Sequence, residues 1–139
     1  MFAYEREYSF STAGDGTIVD LTKALESALT ESGVTTGQLV VFVPGSTGAI
    51  TTIEYEPGLV RDLPELFERI IPRGRTYHHD ATWGDGNGFS HLRAALVGPS
   101  LSIPVSGGRM TLGTWQQVVF LEFDNRERGR KVAISILGE

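Results

Sequence analysis

All three histidines of the chain fall in one short stretch. It runs Tyr77-His78-His79-Asp80, then Trp83-Gly84-Asp85-Gly86-Asn87-Gly88, then His91-Leu92-Arg93. Imidazole titrates nearest neutral pH and is the commonest metal ligand, so this clustering points to acid/base work or to coordination. The glycine-rich segment between His79 and His91 can fold back and bring both rings to one ion, with Asp80 or Asp85 as the carboxylate. Two histidines and one carboxylate form a set of the kind zinc or iron accepts. We take His79, His91 and Asp80 as the expected ligands of a divalent cation, zinc or magnesium. The spacing is no compact motif such as HExxH, and the bland alternative is a set of loop histidines in solvent. Gly84-Asp85-Gly86-Asn87-Gly88 lacks the GxxxxGK[ST] pattern of a phosphate loop, and its acids favour a cation over an anion.

Other residues could join this chemistry. Glu122, in Phe120-Leu121-Glu122-Phe123, is either the outward face of an alternating strand or a functional carboxylate. Arg73, Arg75, Arg93 and Arg109 could meet phosphate, or pair with the seventeen acids of the surface. Glu54 shares a strand face with Glu56 and points either to solvent or into the same pocket. Trp115 and Gln116 are either core and sheet edge or the wall of a ligand cavity. Gly45-Ser46-Thr47-Gly48 lies at a strand junction and reads as a pocket-lining turn, since GxSxG is absent.

The chain of 139 residues suits one domain spanning 1–139, long enough to bury a core without staples. A net charge of -5 argues against general nucleic-acid binding, which needs a basic face. Cysteine is absent, which excludes disulfides and thiolate metal sites. Met1 to Glu7 is too acidic for a signal peptide. No apolar run approaches the roughly 20 residues a membrane span needs. The expectation is a cytoplasmic protein without membrane contact.

The elements that position these residues follow from periodicity. Residues 2–12 alternate aromatic and polar, as a half-buried strand does. Thr17-Ile18-Val19 is a second short strand; Asp20 then caps a helix from Leu21 to about Ser32, stopped by Gly33. Residues 38–44 are continuously apolar, suited to a strand buried on both faces, and 49–56 form another. A second helix carries Leu59, Leu63, Leu66, Phe67 and Ile70. It opens at Pro57-Gly58 or, with Pro64 in its first turn, near Asp62, and ends at Pro72. Residues 73–90 have no hydrophobic period and read as a functional loop. A short helix over His91–Val97 precedes strands at 100–105, 109–124 (broken near Gly113) and 130–137. The class is α+β, with about seven mostly antiparallel strands and two or three helices.

One resemblance covers nearly the whole chain. His79-Asp80, Gly86-Asn87, His91-Leu92-Arg93-Ala94, Gly98-Pro99-Ser100, Arg109, and Leu112-Gly113-Thr114-Trp115-Gln116-Gln117 through Glu122 resemble the YjbQ-like family, labelled secondary thiamine-phosphate synthase. The resemblance implies a seven-stranded, two-sheet sandwich with helices, assembled as a homotrimer, with a histidine-bearing polar pocket near subunit boundaries. Many members carry a histidine where this chain has Gly45. The implied activity is a transferase acting on phosphorylated small molecules, joining a pyrimidine diphosphate to a thiazole phosphate. His79, His91, Asp80 and Glu122 would be its catalytic residues, and Asn87, Arg93, Arg109, Glu54, Trp115 and Gln116 would contact the ligand. The alternative is a trimeric protein that holds a metal or an anionic metabolite without turnover.

Overall fold

The computed structural model describes residues 1–139. In chain order the elements are β1 (Phe2–Thr12), β2 (Ile18–Asp20), α1 (Thr22–Ser32), β3 (Thr36–Phe42), β4 (Gly48–Ile53) and α2 (Pro57–Ile70). They continue with α3 (His78–Trp83), α4 (Gly88–Val97), β5 (Ser100–Ser106), β6 (Arg109–Met110), β7 (Gln117–Glu122) and β8 (Arg128–Gly138). One sheet has five strands in the order β1-β8-β3-β5-β6, and the other three in the order β2-β7-β4. Every neighbouring pair is antiparallel. The expected α+β class and two-sheet sandwich are therefore present, with eight strands and four helices.

The packing is layered. Leu39 and Val41 of β3, Ile103 and Val105 of β5, and Val132, Ile134 and Ile136 of β8 form the inner face of the five-stranded sheet. They meet α1 through Leu25, Ala28 and Leu29, and the three-stranded sheet through Ile50, Val118 and Phe120. The opposite parity of that smaller sheet, Ala49, Val119 and Leu121, packs with Phe67 of α2 and Ala94 of α4. β7 is thus buried on both faces, and the run Val118-Val119-Phe120-Leu121 satisfies two cores at once. No helix is long and apolar enough to cross a membrane.

Three of the expected boundaries need correction, and of the two expected starts of α2 the earlier one holds. Residues 73–90 are not one loop: α3 forms inside them, and α4 begins at Gly88 rather than His91. α2 begins at Pro57, because the Glu56 carboxylate accepts the N–H groups of Gly58 and Leu59, and those bonds hold its carboxyl below the usual range. Pro64 lies inside that helix and leaves one helical acceptor without its N–H; burial of Phe67 keeps the helix continuous across it. β4 ends at Ile53, so Glu54 and Glu56 do not share a strand face.

Candidate functional site

The stretch from Tyr77 to His91 is shaped by one carboxylate. Asp80 Oδ2 accepts the Tyr77 N–H at 3.0 Å, and Oδ1 accepts the Gly88 N–H at 2.9 Å. Both bonds favour the ionised form and lower the Asp80 pKa. They cap α3 and tie its first turn to the start of α4, which closes the glycine-rich segment into a short loop. Gly88 has to be glycine, since a Cβ there would lie 2.8 Å from Tyr77 Cβ and 2.9 Å from Asp80 Oδ1. The closure brings His79 on α3 against His91 on α4, with ring centroids 4.3 Å apart.

His91 lines an open cleft of about 460 Å³ together with Gly45, Ser46, Thr47, Asp85, Asn87, Asp124, Asn125, Arg126 and Arg128. None of these side chains is hydrophobic. The turn at 45–47 therefore does line a pocket. Asn125 Nδ2 donates to the Asp85 carbonyl at 2.9 Å and links the loop to the β7–β8 hairpin. Burial lowers the His91 pKa; the charge of His79 adds to this, and Asp124 and Asp85 oppose it. Burial alone would push Asp124 upward. Hydrogen bonds from the Asn125 N–H, Arg128, Thr47 and Asn87 outweigh that and hold it below the usual range. His79 Nδ1 and Asn87 Oδ1 are buried without a hydrogen-bond partner, as groups kept for a ligand would be.

Behind the cleft lies an ion pair between the sheets. Glu122 on β7 is 1% exposed and Arg130 on β8 is 6% exposed. Arg130 Nε donates to Glu122 Oε1 at 2.8 Å, and Arg130 Nη2 to Oε2 at 2.5 Å. Thr12 Oγ1 and the Asp124 N–H complete the carboxylate's shell at 2.6 and 3.0 Å. Both oxygens of Glu122 are thus engaged within the chain.

The remaining expected residues divide. His91 and Asn87 line the cleft, and His79 reaches it only through its contact with the His91 ring. Asp80 is beside them, but both of its oxygens face backbone N–H groups. No three His, Asp or Glu side chains gather in an arrangement that would hold a metal, so the His79–His91–Asp80 set does not fit one. Arg93 is 2% exposed and turned away: Nε and Nη2 donate to the Ile71 carbonyl, Nη1 to Asp15 and Nη2 to Glu68. It joins α4 to the end of α2 and to the β1–β2 turn. Glu54 is exposed beyond β4. Arg109 and Gln116 line a different groove with Glu26 and Thr114, and Trp115 beside them is 73% exposed. Gln116 Oε1 accepts the Gly113 N–H at 2.8 Å and closes the turn before β7. This groove and the cleft lie at opposite ends of the β4–β7 ladder, about 17 Å apart at the rise of an extended strand.

Sequence reasoning missed Asp124, Arg128 and Arg130. A signal was available: an acid inside the apolar run Phe120-Leu121-Glu122-Phe123 needs a cation, and Arg126, Arg128 and Arg130 follow at once across a turn.

The comparisons agree with this architecture. The sequence profile described as UPF0047 protein YjbQ-like matches residues 6–139. A UPF0047 protein of Archaeoglobus fulgidus is 37% identical over 131 residues, covering 94% of this chain and 99% of that protein. The crystal structure of a YbjQ-like protein from Sulfolobus solfataricus superposes with a TM-score of 0.89 at 28% identity, covering 99% of this chain and 100% of that one. A structure of the yjbq/upf0047 family from Clostridium acetobutylicum gives a TM-score of 0.87 at 38% identity, covering 95% of this chain and 99% of that one. With a profile that spans nearly its whole length and relatives matched end to end, this chain belongs to the YjbQ-like UPF0047 family.

Proposed function

We propose that the chain is a small-molecule transferase of the secondary thiamine-phosphate synthase kind, with the His79–His91 pair as its acid/base centre. The observation that carries this reading is the tilted contact of the two rings at the edge of a cleft without apolar lining, beside the orphaned His79 Nδ1 and Asn87 Oδ1. In the reaction the bond between the pyrimidine methylene carbon and its diphosphate oxygen breaks. The thiazole nitrogen supplies the electron pair for the new carbon–nitrogen bond, and diphosphate leaves with the other pair. A His91 ring held neutral by burial offers an N–H to the departing oxygen. Arg126 and Arg128 face the developing charge from the cleft. A divalent ion, zinc or magnesium, belongs on this reading to the substrate's diphosphate, not to a resident histidine site. The protein acts as a homotrimer. The exposed Phe42 and Leu137 on the outer face of the five-stranded sheet support self-association, and a neighbouring copy gives the distant Arg109–Trp115–Gln116 groove a use.

The test mixes pyrimidine diphosphate with thiazole phosphate and follows pyrophosphate. Release by the wild type and its loss in His91→Gln support transfer; no release by the wild type rejects it. The second reading, a protein that holds an anionic metabolite without turnover, is favoured by Gly45, which brings no side chain to the cleft. Saturable binding of the two phosphorylated compounds without pyrophosphate release would establish it.

A further inference from the structure

We propose that the Arg130 guanidinium, left uncovered by Gly45, forms an oxyanion subsite of the polar cleft that takes a phosphate group of the ligand. This rests on the same cleft as the proposed function but not on the transfer step.

Three observations carry it. First, Arg130 is almost fully buried, with Nε and Nη2 committed to Glu122 and Thr47. Its Nη1 donates to nothing in the chain, which leaves two N–H groups of a charged donor unmet. Second, Gly45 lines the cleft, and a Cβ there would lie 3.2 Å from Arg130 Nη1. Gly45 is not among the glycines with a positive φ, so the turn itself does not demand glycine. What the missing side chain does is leave no carbon over Arg130 Nη1, which stands behind Gly45 rather than among the residues that line the cleft. Third, the same turn supplies backbone donors. The Gly45 N–H reaches the Val43 carbonyl at 3.0 Å, while those of Ser46 and Thr47 have no acceptor in the chain. Successive free N–H groups in a turn beside a guanidinium make an anion-binding concavity.

The charges nearby are consistent with this ligand. Glu122 is neutralised by Arg130, and Asp124 by Arg128, with Thr47 donating to it as well. Arg126 lines the cleft with no ion pair of its own, and Asp85 is the one lining carboxylate outside the network. Recognition therefore comes from directed donors rather than from net charge. Donors from Arg130, Ser46 and Thr47 outnumber the two oxygens of a planar carboxylate and suit the three free oxygens of a phosphate ester.

The experiment titrates the protein with inorganic phosphate and with pyrophosphate, following heat and the ¹⁵N signals of the arginine side chains. The wild type should bind pyrophosphate saturably, with the Arg130 signal shifted. Gly45→Ala should weaken binding several-fold and Gly45→Val at least tenfold, with thermal melting unchanged. Arg130 itself is a poor first target because it carries the buried pair, and Arg130→Lys serves as the second variant: it keeps the charge, loses the Nη1 edge and should bind as weakly as Gly45→Val. Wild-type affinity in Gly45→Val, or no anion binding by the wild type at millimolar concentration, would overturn the subsite. Anion binding lost in Gly45→Val, in a protein that releases no pyrophosphate from the paired substrates, would sink the transferase reading and leave the subsite standing. Release with an unchanged KM in Gly45→Val would do the reverse.

Discussion

The rings of His79 and His91 lie 4.3 Å apart between centroids with planes tilted by 34°, although different helices carry them. Burial lowers the His91 pKa below its ordinary 6.5, and the charge of His79 beside it adds to the shift. Replacing His79 with Gln removes the neighbouring charge, which raises the His91 pKa towards 6.5. The measurement is an NMR titration of the His91 ring protons; an unchanged midpoint would mean the rings are not coupled. Since the folded value is the depressed one, the His91 penalty on stability grows as pH falls from about 6.5. It is absent above that pH.

The Asp80 carboxylate should control this pairing from outside the cleft. Asp80→Asn turns an amide N–H₂ towards one of two backbone donors, so it breaks the Tyr77 or the Gly88 bond. We expect the His79 and His91 signals to move together and turnover to fall about tenfold or more, as misplacement of an acid/base group does. In the wild type the folded Asp80 pKa is the lowered one. The clasp is therefore intact above the ordinary carboxylate range and is lost as pH falls through the folded value, with the Gly88 amide shift as its reporter.

Arg93 is expected to matter for stability, not for ligand affinity. Arg93→Met leaves Asp15 with Arg73 alone and the Ile71 carbonyl without its donor, at a cost of about 3 kcal/mol in urea unfolding. Burial raises the Asp15 pKa, against the pull of Arg93 and Arg73, so losing Arg93 drives it further up. Arg93→Lys should recover little, because a single ammonium cannot reach Asp15, Glu68 and Ile71 from one position. An affinity change without loss of stability would return Arg93 to the ligand.

The Glu122–Arg130 pair makes a prediction of opposite logic. Either Glu122→Gln or Arg130→Met strands a buried charge and should cost about 3–5 kcal/mol. The double variant strands none, so it should unfold at higher urea than the sum of the single changes predicts. Strict additivity would show that the pair is weaker than its geometry implies.

The fold was legible where burial writes a period. The apolar stripe of α1 and the presence of a strand at Leu39-Val40-Val41-Phe42 come directly from spacing. The expected burial of that strand on both faces does not hold, because Leu39 and Val41 face the core while Phe42 on the other face is exposed. α3 does not come from spacing, because no residue of it is buried as a whole and so it imposes no hydrophobic repeat; a hydrogen-bonding carboxylate defines it instead. The site was half legible for the same reason. Residue types marked His79, His91 and Asn87, but a guanidinium reads alike whether it meets a ligand or a helix end, and Arg93 proved to be the second. Trp115 and Gln116 share a motif with nothing near the histidines, since the strand that follows carries the chain to the other end of the ladder.

β7 lies between two cores, whereas no residue of α3 is buried as a whole. Glu122 ends the first and Asp124 follows it, while His79 rides on the second. Amides of β7 open only when the whole domain unfolds, so they exchange at the slowest rate the chain allows; those of α3 exchange through local fraying. The cleft thus has a wall with the lifetime of the native state facing one that can re-form many times within it. Heat that is too mild to unfold the protein will first disengage the histidine pair, so loss of site geometry will precede loss of fold.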